Sequence, residues 1–339
     1  NQTGQIMSEP AVKMNWFQTM RERYAHPGAL SKIGVLGMNR RNVSYISRYN
    51  PRHLFPLVDD KLQTKELALE AGVKVPDLIG VISEQHAVKE LSHILQRCSS
   101  GFCIKPAHGS GGKGIMVITR QSEEGYRKSN GQFATISDLE RHVSNILAGL
   151  FSLGGRADVA IIEDLIHFDD CFSGFSYEGV PDTRIIVFRG FPVMAMMRLS
   201  TADSNGKANL HQGAVGVGLD IGDGHALRAV QFDKPILLHP DTGLNMMTLK
   251  VPHWEEVLTL AVSCYEMSGL GYLGTDIVLD RFKGPMLLEL NARPGLTIQI
   301  ANGKGLLPRL RQIESLSHKK RMSVADRVAY AREHFTDHR

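Results

Sequence analysis

The chain has 339 residues, 42% of them hydrophobic and 22% charged, with a formal net charge of +4. Such a length buries a large core and predicts two or three subdomains, while the small positive charge permits anionic ligands without demanding nucleic acid. No apolar run approaches the ~20 residues of a membrane span, the start lacks a secretion-signal pattern and the four cysteines show no metal spacing, so a cytoplasmic protein with reduced thiols is expected.

Residues 1–6 leave two readings open, native chain or a foreign remnant ahead of a natural start at Met7. Residues 10–26 carry Val12, Trp16, Met20 and Tyr24 at helical spacing. Over 37–56, Arg40, Arg41, Arg48 and Arg52 interleave with Tyr45 and Tyr49, and a solvated helix face is favoured over a phosphate or nucleic-acid surface. A helix over 60–71 stops at Gly72 with Pro76 beyond it. LIGVI then reads as a strand and 84–97 as a further helix.

FCIKPAHGSGGKGIMVITR (102–120) holds Gly109, Gly111 and Gly114 in G-x-G-x-x-G spacing. A dinucleotide fingerprint must open a helix, whereas IMVITR is β-branched, so this loop joins two strands. It is not a P-loop either, because Lys113 precedes Gly114 rather than Ser or Thr. Free backbone N–H groups and two lysines, Lys105 and Lys113, can still cover a polyphosphate.

Further on, 137–150 reads as a helix and VAIIEDLI (159–166) as a strand turning acidic at Glu163 and Asp164. Residues 181–200 read as two strands joined at 189–192, with Asp182 and Arg184 on one face. Asn209 and His211 stand two apart in a loop-rich stretch, 253–268 reads as a helix, and the tail as a basic helix.

GTDIVLD (274–280) and MLLELNARPG (286–295) are strand-like runs carrying charge where a buried strand should have none. A turn centred between Phe282 and Lys283 puts Asp276 across from Glu289, with Asn291 on the same face. Two carboxylates and an amide oxygen are hard ligands of the kind Mg²⁺ takes when bound to substrate phosphates.

The ordered set of these segments resembles the ATP-grasp superfamily: a lysine opening a helix (Lys61), a strand lysine (Lys105), a Gly-rich hairpin, an acidic hinge and a D…E-x-N set. PDTRIIVF, ANLHQGA and LELNARPGL resemble its α-L-glutamate ligase branch. The likeness runs over roughly residues 30–312 and extends to GMNRRN, DDKLQTK, KPAHGSGGKGI and HPDTG. It implies an α+β, ATP-grasp fold in which two subdomains clasp ATP. The expected units are a helix-rich segment (1–60), a subdomain with the phosphate loop (61–160), a subdomain with the metal site (161–312) and a basic C-terminal helix (313–339).

The resemblance also implies roles. Lys61 and Lys105 would hold ATP phosphates, and Gly109, Ser110, Gly111, Gly112, Lys113 and Gly114 would close over them. Glu163, Asp164, Leu165 and Ile166 would form the hinge that reads adenine and ribose. Asp276, Glu289 and Asn291 would bind two Mg²⁺ ions, with Mn²⁺ as a substitute. Arg184, Arg198 and Asn209 would surround the transferred phosphoryl and the acceptor carboxylate. Two departures from the branch are a short N-terminal region and Gln212 where an arginine is usual; Arg293 could take over that clamp. His211 is the single base to test. The expected activity is ATP-dependent ligation of a carboxylate (peptide or small molecule) to an amine, glutamate or a similar amino acid, through an acyl phosphate. Alternatives are a kinase and a non-catalytic ATP-sensing module.

Overall fold

The computed structural model describes residues 26–98, 100–109, 111–152, 154–316 and 322–337. The helix expected over 10–26, Ser110 of the glycine loop and the lysine-rich part of the tail lie outside them.

Two antiparallel sheets, each with its own apolar core, carry the fold. The six-stranded one has the order β1-β6-β2-β3-β4-β5, where β1 is Leu78–Ile82, β2 Phe102–Pro106, β3 Met116–Ser122, β4 Gly125–Lys128, β5 Phe133–Ala134 and β6 Ala160–Asp164. Phe102, Ile104, Ile118 and Ile162 turn to one face and meet α2 (Leu91–Leu95) and α3 (Ile136–Leu147). In α3 the buried residues Leu139, Val143, Ile146 and Leu147 recur at helical spacing. Its start is fixed by a capping box: Thr135 accepts from the Asp138 N–H while Asp138 accepts from that of Thr135, a device contributing about 1 kcal/mol.

The seven-stranded sheet has the order β11-β10-β9-β8-β7-β12-β13. Its members are β7 (Asp182–Phe188), β8 (Phe191–Leu199), β9 (Val215–Leu219), β10 (Ala226–Gln231), β11 (Lys234–Ile236), β12 (Tyr272–Asp280) and β13 (Gly284–Asn291), with β11 and β13 at the edges. PVMAMM in β8 is buried residue after residue, which requires cover on both faces. Helices α4 (Trp254–Ser268), α5 (Ile298–Asn302), α6 (Leu307–Ser315) and α7 (Val324–His334) all pack on this strand.

The Arg/Tyr stretch divides by residue type. Residues 38–49 are helical with a π-helical turn at Arg41–Ile46. Tyr45 is buried against Phe188 and Tyr272, whereas Arg40, Arg48 and Arg52 stay exposed. Asn50 then binds the sheet directly: its amide donates to the carbonyls of Tyr272 and Ala292 at 2.7 and 3.0 Å, and its oxygen accepts from the Tyr272 N–H at 2.8 Å.

Three expectations need correction. The helix expected over 84–97 is a 3₁₀ turn, Gln85–Glu90, running into α2; the turn buries only Val88, and α2 buries Leu91, Ile94 and Leu95. The boundary drawn at 160/161 falls inside β6, and the one at 312/313 inside α6. The β12–β13 turn is centred on Phe282, since Asp280 pairs with Gly284, and not between Phe282 and Lys283. A bulge after Asp276 nevertheless sets Asp276 opposite Glu289, so the expected pair meets by a different route.

Candidate active site

Helix α1 (Lys61–Glu70) begins the site. Asp60 caps it by accepting from the N–H groups of Leu62 and Gln63. That cap places Lys61 in the first turn, where a cation opposes the helix dipole, and Lys65 one turn later on the same side. The Lys61 ammonium donates to the Gly109 carbonyl at 2.6 Å and sits 3.2 Å from the Glu289 carboxylate. One cation thus touches both the glycine loop and the acidic hairpin.

The loop's glycines divide into anchors and open positions. A Cβ on Gly109 would strike Pro106, and one on Gly114 would strike Phe151. Gly111 and Gly112 have φ of +63° and +73° and nothing within 4 Å, so they offer unobstructed backbone in a conformation that favours glycine. Lys113 is exposed beside them. At the far end His142 bonds the Gly114 carbonyl at 2.9 Å.

Glu163 faces inward from β6 and is shared by two buried lysines. Lys105 pairs with one carboxylate oxygen, and Lys65 lies 2.8 Å from the other. Burial alone would raise the Glu163 pKa, but the two ammoniums outweigh it and hold the group below its usual range. Burial likewise opposes charge on Lys105, where Glu163 prevails and keeps the ammonium above its normal value. For Lys65 burial wins and the pKa is lowered. Its side chain also reaches the Pro76 carbonyl. Sequence reasoning missed Lys65; the four-residue spacing from Lys61 in DDKLQTK was the available signal.

Beyond Glu163, the Asp164 carboxylate accepts from the Leu165 N–H at 3.1 Å and from Lys283 at 3.0 Å. Leu165 and Ile166 follow, both half-buried. Lys283 also pairs with Asp77 at 2.8 Å, tying the tip of the acidic hairpin to both sides of the hinge. Between the sheets lies a cleft lined by Lys61, Lys65, Lys105, Val75, Leu288 and Glu289. Its cavity of about 20 Å³ has room for one water.

On the seven-stranded sheet Asp276 is buried and accepts three charge-assisted hydrogen bonds: two from the Arg184 fork at 2.7 and 2.6 Å and one from Arg198 at 2.6 Å. Arg198 also donates to Asp182 at 2.7 Å. Burial works to raise the Asp276 pKa, yet the two guanidiniums bring it below the ordinary value. Asp182 goes the other way: burial pushes it up to about 6 despite Arg198.

The oxygens present suit a hard divalent cation. Glu289 is 42% exposed, against 3% for Glu163, so its carboxylate is reachable. Asn291 uses its side-chain oxygen to accept from the Arg293 N–H at 2.8 Å, which leaves one lone pair. Among the described residues no three His, Cys, Asp or Glu side chains form a ready cage. Mg²⁺ needs none, being held by one or two carboxylates, waters and substrate phosphates.

Two expected residues have side chains engaged by local partners. Arg293 pairs with Asp59 at 3.0 Å and lies over the Phe55 ring. Asn209 caps the turn Leu210–Gln212 by accepting from the His211 N–H. Leu210 of that turn covers Gly216, the strand partner of Arg198. His211 is exposed.

No curated protein matched the chain's sequence. Among solved structures, the chain is similar to the ATP-grasp ligase PsnB complexed with minimal precursor (TM-score 0.45, 16% identity, 79% of this chain and 63% of that one). It is also similar to the D-alanine-D-alanine ligase from Coxiella burnetii (TM-score 0.44, 12% identity, 82% and 59%). A third likeness is to the D-alanine–D-alanine ligase from Bacillus anthracis complexed with ATP (TM-score 0.42, 12% identity, 82% and 67%). The chain spans less than two thirds of the first two. The profile of a family described as sugar-transfer associated ATP-grasp matches residues 40–315. With that match covering most of its length, the chain belongs to the sugar-transfer associated ATP-grasp family.

Proposed function

We propose that the protein is an ATP-dependent carboxylate–amine ligase that activates its acceptor as an acyl phosphate, with glutamate or a similar amino acid as the amine. The observation that carries this reading is the position of Lys61, whose ammonium bonds the glycine loop and the Glu289 carboxylate at once. Phosphates under the loop would therefore lie beside the oxygens suited to Mg²⁺.

A carboxylate becomes an acyl donor once its oxygen is a good leaving group, and transfer of the ATP γ-phosphoryl achieves that. The amine then displaces phosphate and the amide forms. Both partners of the first step are anionic, so the chain's main task is to neutralise and align them. Lys61, Lys105 and Lys113 supply charge along the polyphosphate, and Gly111 and Gly112 supply backbone N–H groups. Arg184 and Arg198 hold the acceptor carboxylate and the transferred phosphoryl. Leu165 and Ile166 read the base through their backbone, and Asp164 faces the ribose. Glu289, Asn291 and Asp276 would hold Mg²⁺ (two ions, Mn²⁺ substituting), which supplies charge stabilisation on the phosphate oxygens. Arg293 and Asn209 serve the acceptor or amine from the rim. The reducing cytoplasm suits the four free thiols, and among the described residues no helix is long and apolar enough to cross a membrane.

The test is ADP release from Mg-ATP over a panel of carboxylates, including carboxylated sugars and Glu-terminated peptides, each with glutamate and other amines, followed by mass spectrometry. A product heavier by one condensed amine, lost in Glu289→Gln by about 100-fold or more, is expected. A stable phosphorylated product with no need for an amine identifies a kinase. ATP binding without turnover on any mixture identifies a sensing module.

A further inference from the structure

His108, one residue before the glycine loop's first glycine, has no part in the chemistry above, yet it is held like a working group. Its Nδ1 lies 2.7 Å from the Asp158 carboxylate, and its backbone N–H donates to that carboxylate at 3.0 Å. Asp158 has a fully buried side chain and also accepts from the Val159 N–H at 2.8 Å and from Ser152. Burial favours its neutral form, but these donors outweigh burial and keep it below the usual carboxylate range. Asp158 is thus a fixed anion, and it makes Nδ1 the protonated nitrogen of the ring. The opposite nitrogen, Nε2, faces the Asp60 carboxylate at 3.4 Å.

Asp60 is the residue that caps α1. Two more links join the same pieces: the Lys61 N–H donates to the Ala107 carbonyl at 3.0 Å, and the Lys61 ammonium to Gly109. Asp60, Lys61, Gly109 and His108 therefore form a closed ring of contacts, anchored on β6 through Asp158. An imidazole suits the corner because its two nitrogens point in opposite directions and, when both carry a proton, serve two carboxylates from one rigid plane.

We propose that His108 is a positioning residue that fastens the glycine loop to the start of α1, so that the loop and Lys61 are held as one phosphate-gripping unit. This inference rests on the ligase reading for the identity of the gripped group, but the ring itself can be tested without nucleotide.

The experiment is hydrogen exchange on the free full-length chain, wild type against His108→Ala and His108→Gln, followed by titration with Mg-ATP. Faster exchange in His108→Ala is expected in both segments 58–66 and 107–116, with an unchanged melting temperature and Mg-ATP affinity reduced about tenfold, the worth of one charge-assisted contact. His108→Gln keeps a polar side chain that can reach one of the two carboxylates and should restore part of the affinity. Faster exchange confined to 107–116, or unchanged affinity in His108→Ala, overturns the proposal. Wild-type protein that ignores Mg-ATP would defeat the ligase reading instead, and the exchange of the two segments would still decide the role of His108.

Discussion

Two buried ionic clusters hold the charged side chains of the two sheets, and they are built on opposite terms. Around the six-stranded sheet two ammoniums, Lys105 of β2 and Lys65 of α1, share the single carboxylate of Glu163. In the seven-stranded sheet two guanidiniums, Arg184 and Arg198, are matched by two carboxylates, Asp182 and Asp276. The lysine cluster keeps a surplus of positive charge that an anionic polyphosphate can satisfy. The arginine cluster is neutral as it stands, so a phosphoryl or carboxylate can draw on its guanidiniums only as Asp276 gains another partner, such as a metal ion. The lysine cluster is a standing attraction for an anion, and the arginine cluster becomes one only when Asp276 finds a further partner.

The largest effect should come from breaking the lysine side. Glu163→Gln leaves two buried ammoniums without their anion, and loss of about 3–5 kcal/mol in urea unfolding is expected. A loss under about 1 kcal/mol would mean that the lysines shed their protons or reach water, and the contrast between the clusters would collapse.

The arginine side should respond to pH. The Asp182 pKa is raised to about 6 in the folded protein, so the folded state binds the proton more readily than the unfolded chain. Stability from this group is therefore present at low pH and lost as pH rises from about 4 to about 6. Asp182→Asn mimics the protonated form and should match wild type near pH 4. It should gain on wild type by roughly 1–3 kcal/mol at pH 7. A variant that is less stable than wild type at pH 7 would show that Asp182 is held as a favourable anion.

Arg184→Lys keeps the charge but loses the two-point grip on Asp276. A cost of about 1–2 kcal/mol is expected in the same unfolding measurement. The smallest effect belongs to Lys283→Ala, which removes a part-exposed link between the hairpin tip and the hinge; no more than about 1 kcal/mol should be lost.

The acidic hairpin shows how far sequence reading reached. Apolar runs interrupted by Asp276, Glu289 and Asn291 were enough to place a hairpin and to pair residue 276 with 289. The bulge beside Leu288 was not readable, because one extra residue in a strand leaves no mark in an alternation already broken by charge. The glycine loop was legible as a connection between strands from the β-branched residues after it. Lys65 was hidden by its setting, since a lysine on a short helix reads as solvated unless the strand carrying Glu163 is known to pack beside it. The directions of Arg293 and Asn209 were equally closed to sequence, as local partners, Asp59 and the His211 N–H, decide them.

Asn50 has a consequence for how the chain could be cut. Its side-chain amide occupies the backbone groups of Tyr272 and Ala292 in the manner of a neighbouring strand, so the helical stretch before α1 is not an appendage to be trimmed at a tidy domain border. A shortened chain starting at Asp60 would leave the first residue of β12 and the loop after β13 facing solvent with unmet donors and acceptors. The module that a protein engineer could move to another host is therefore the acidic hairpin together with the segment that holds it from behind.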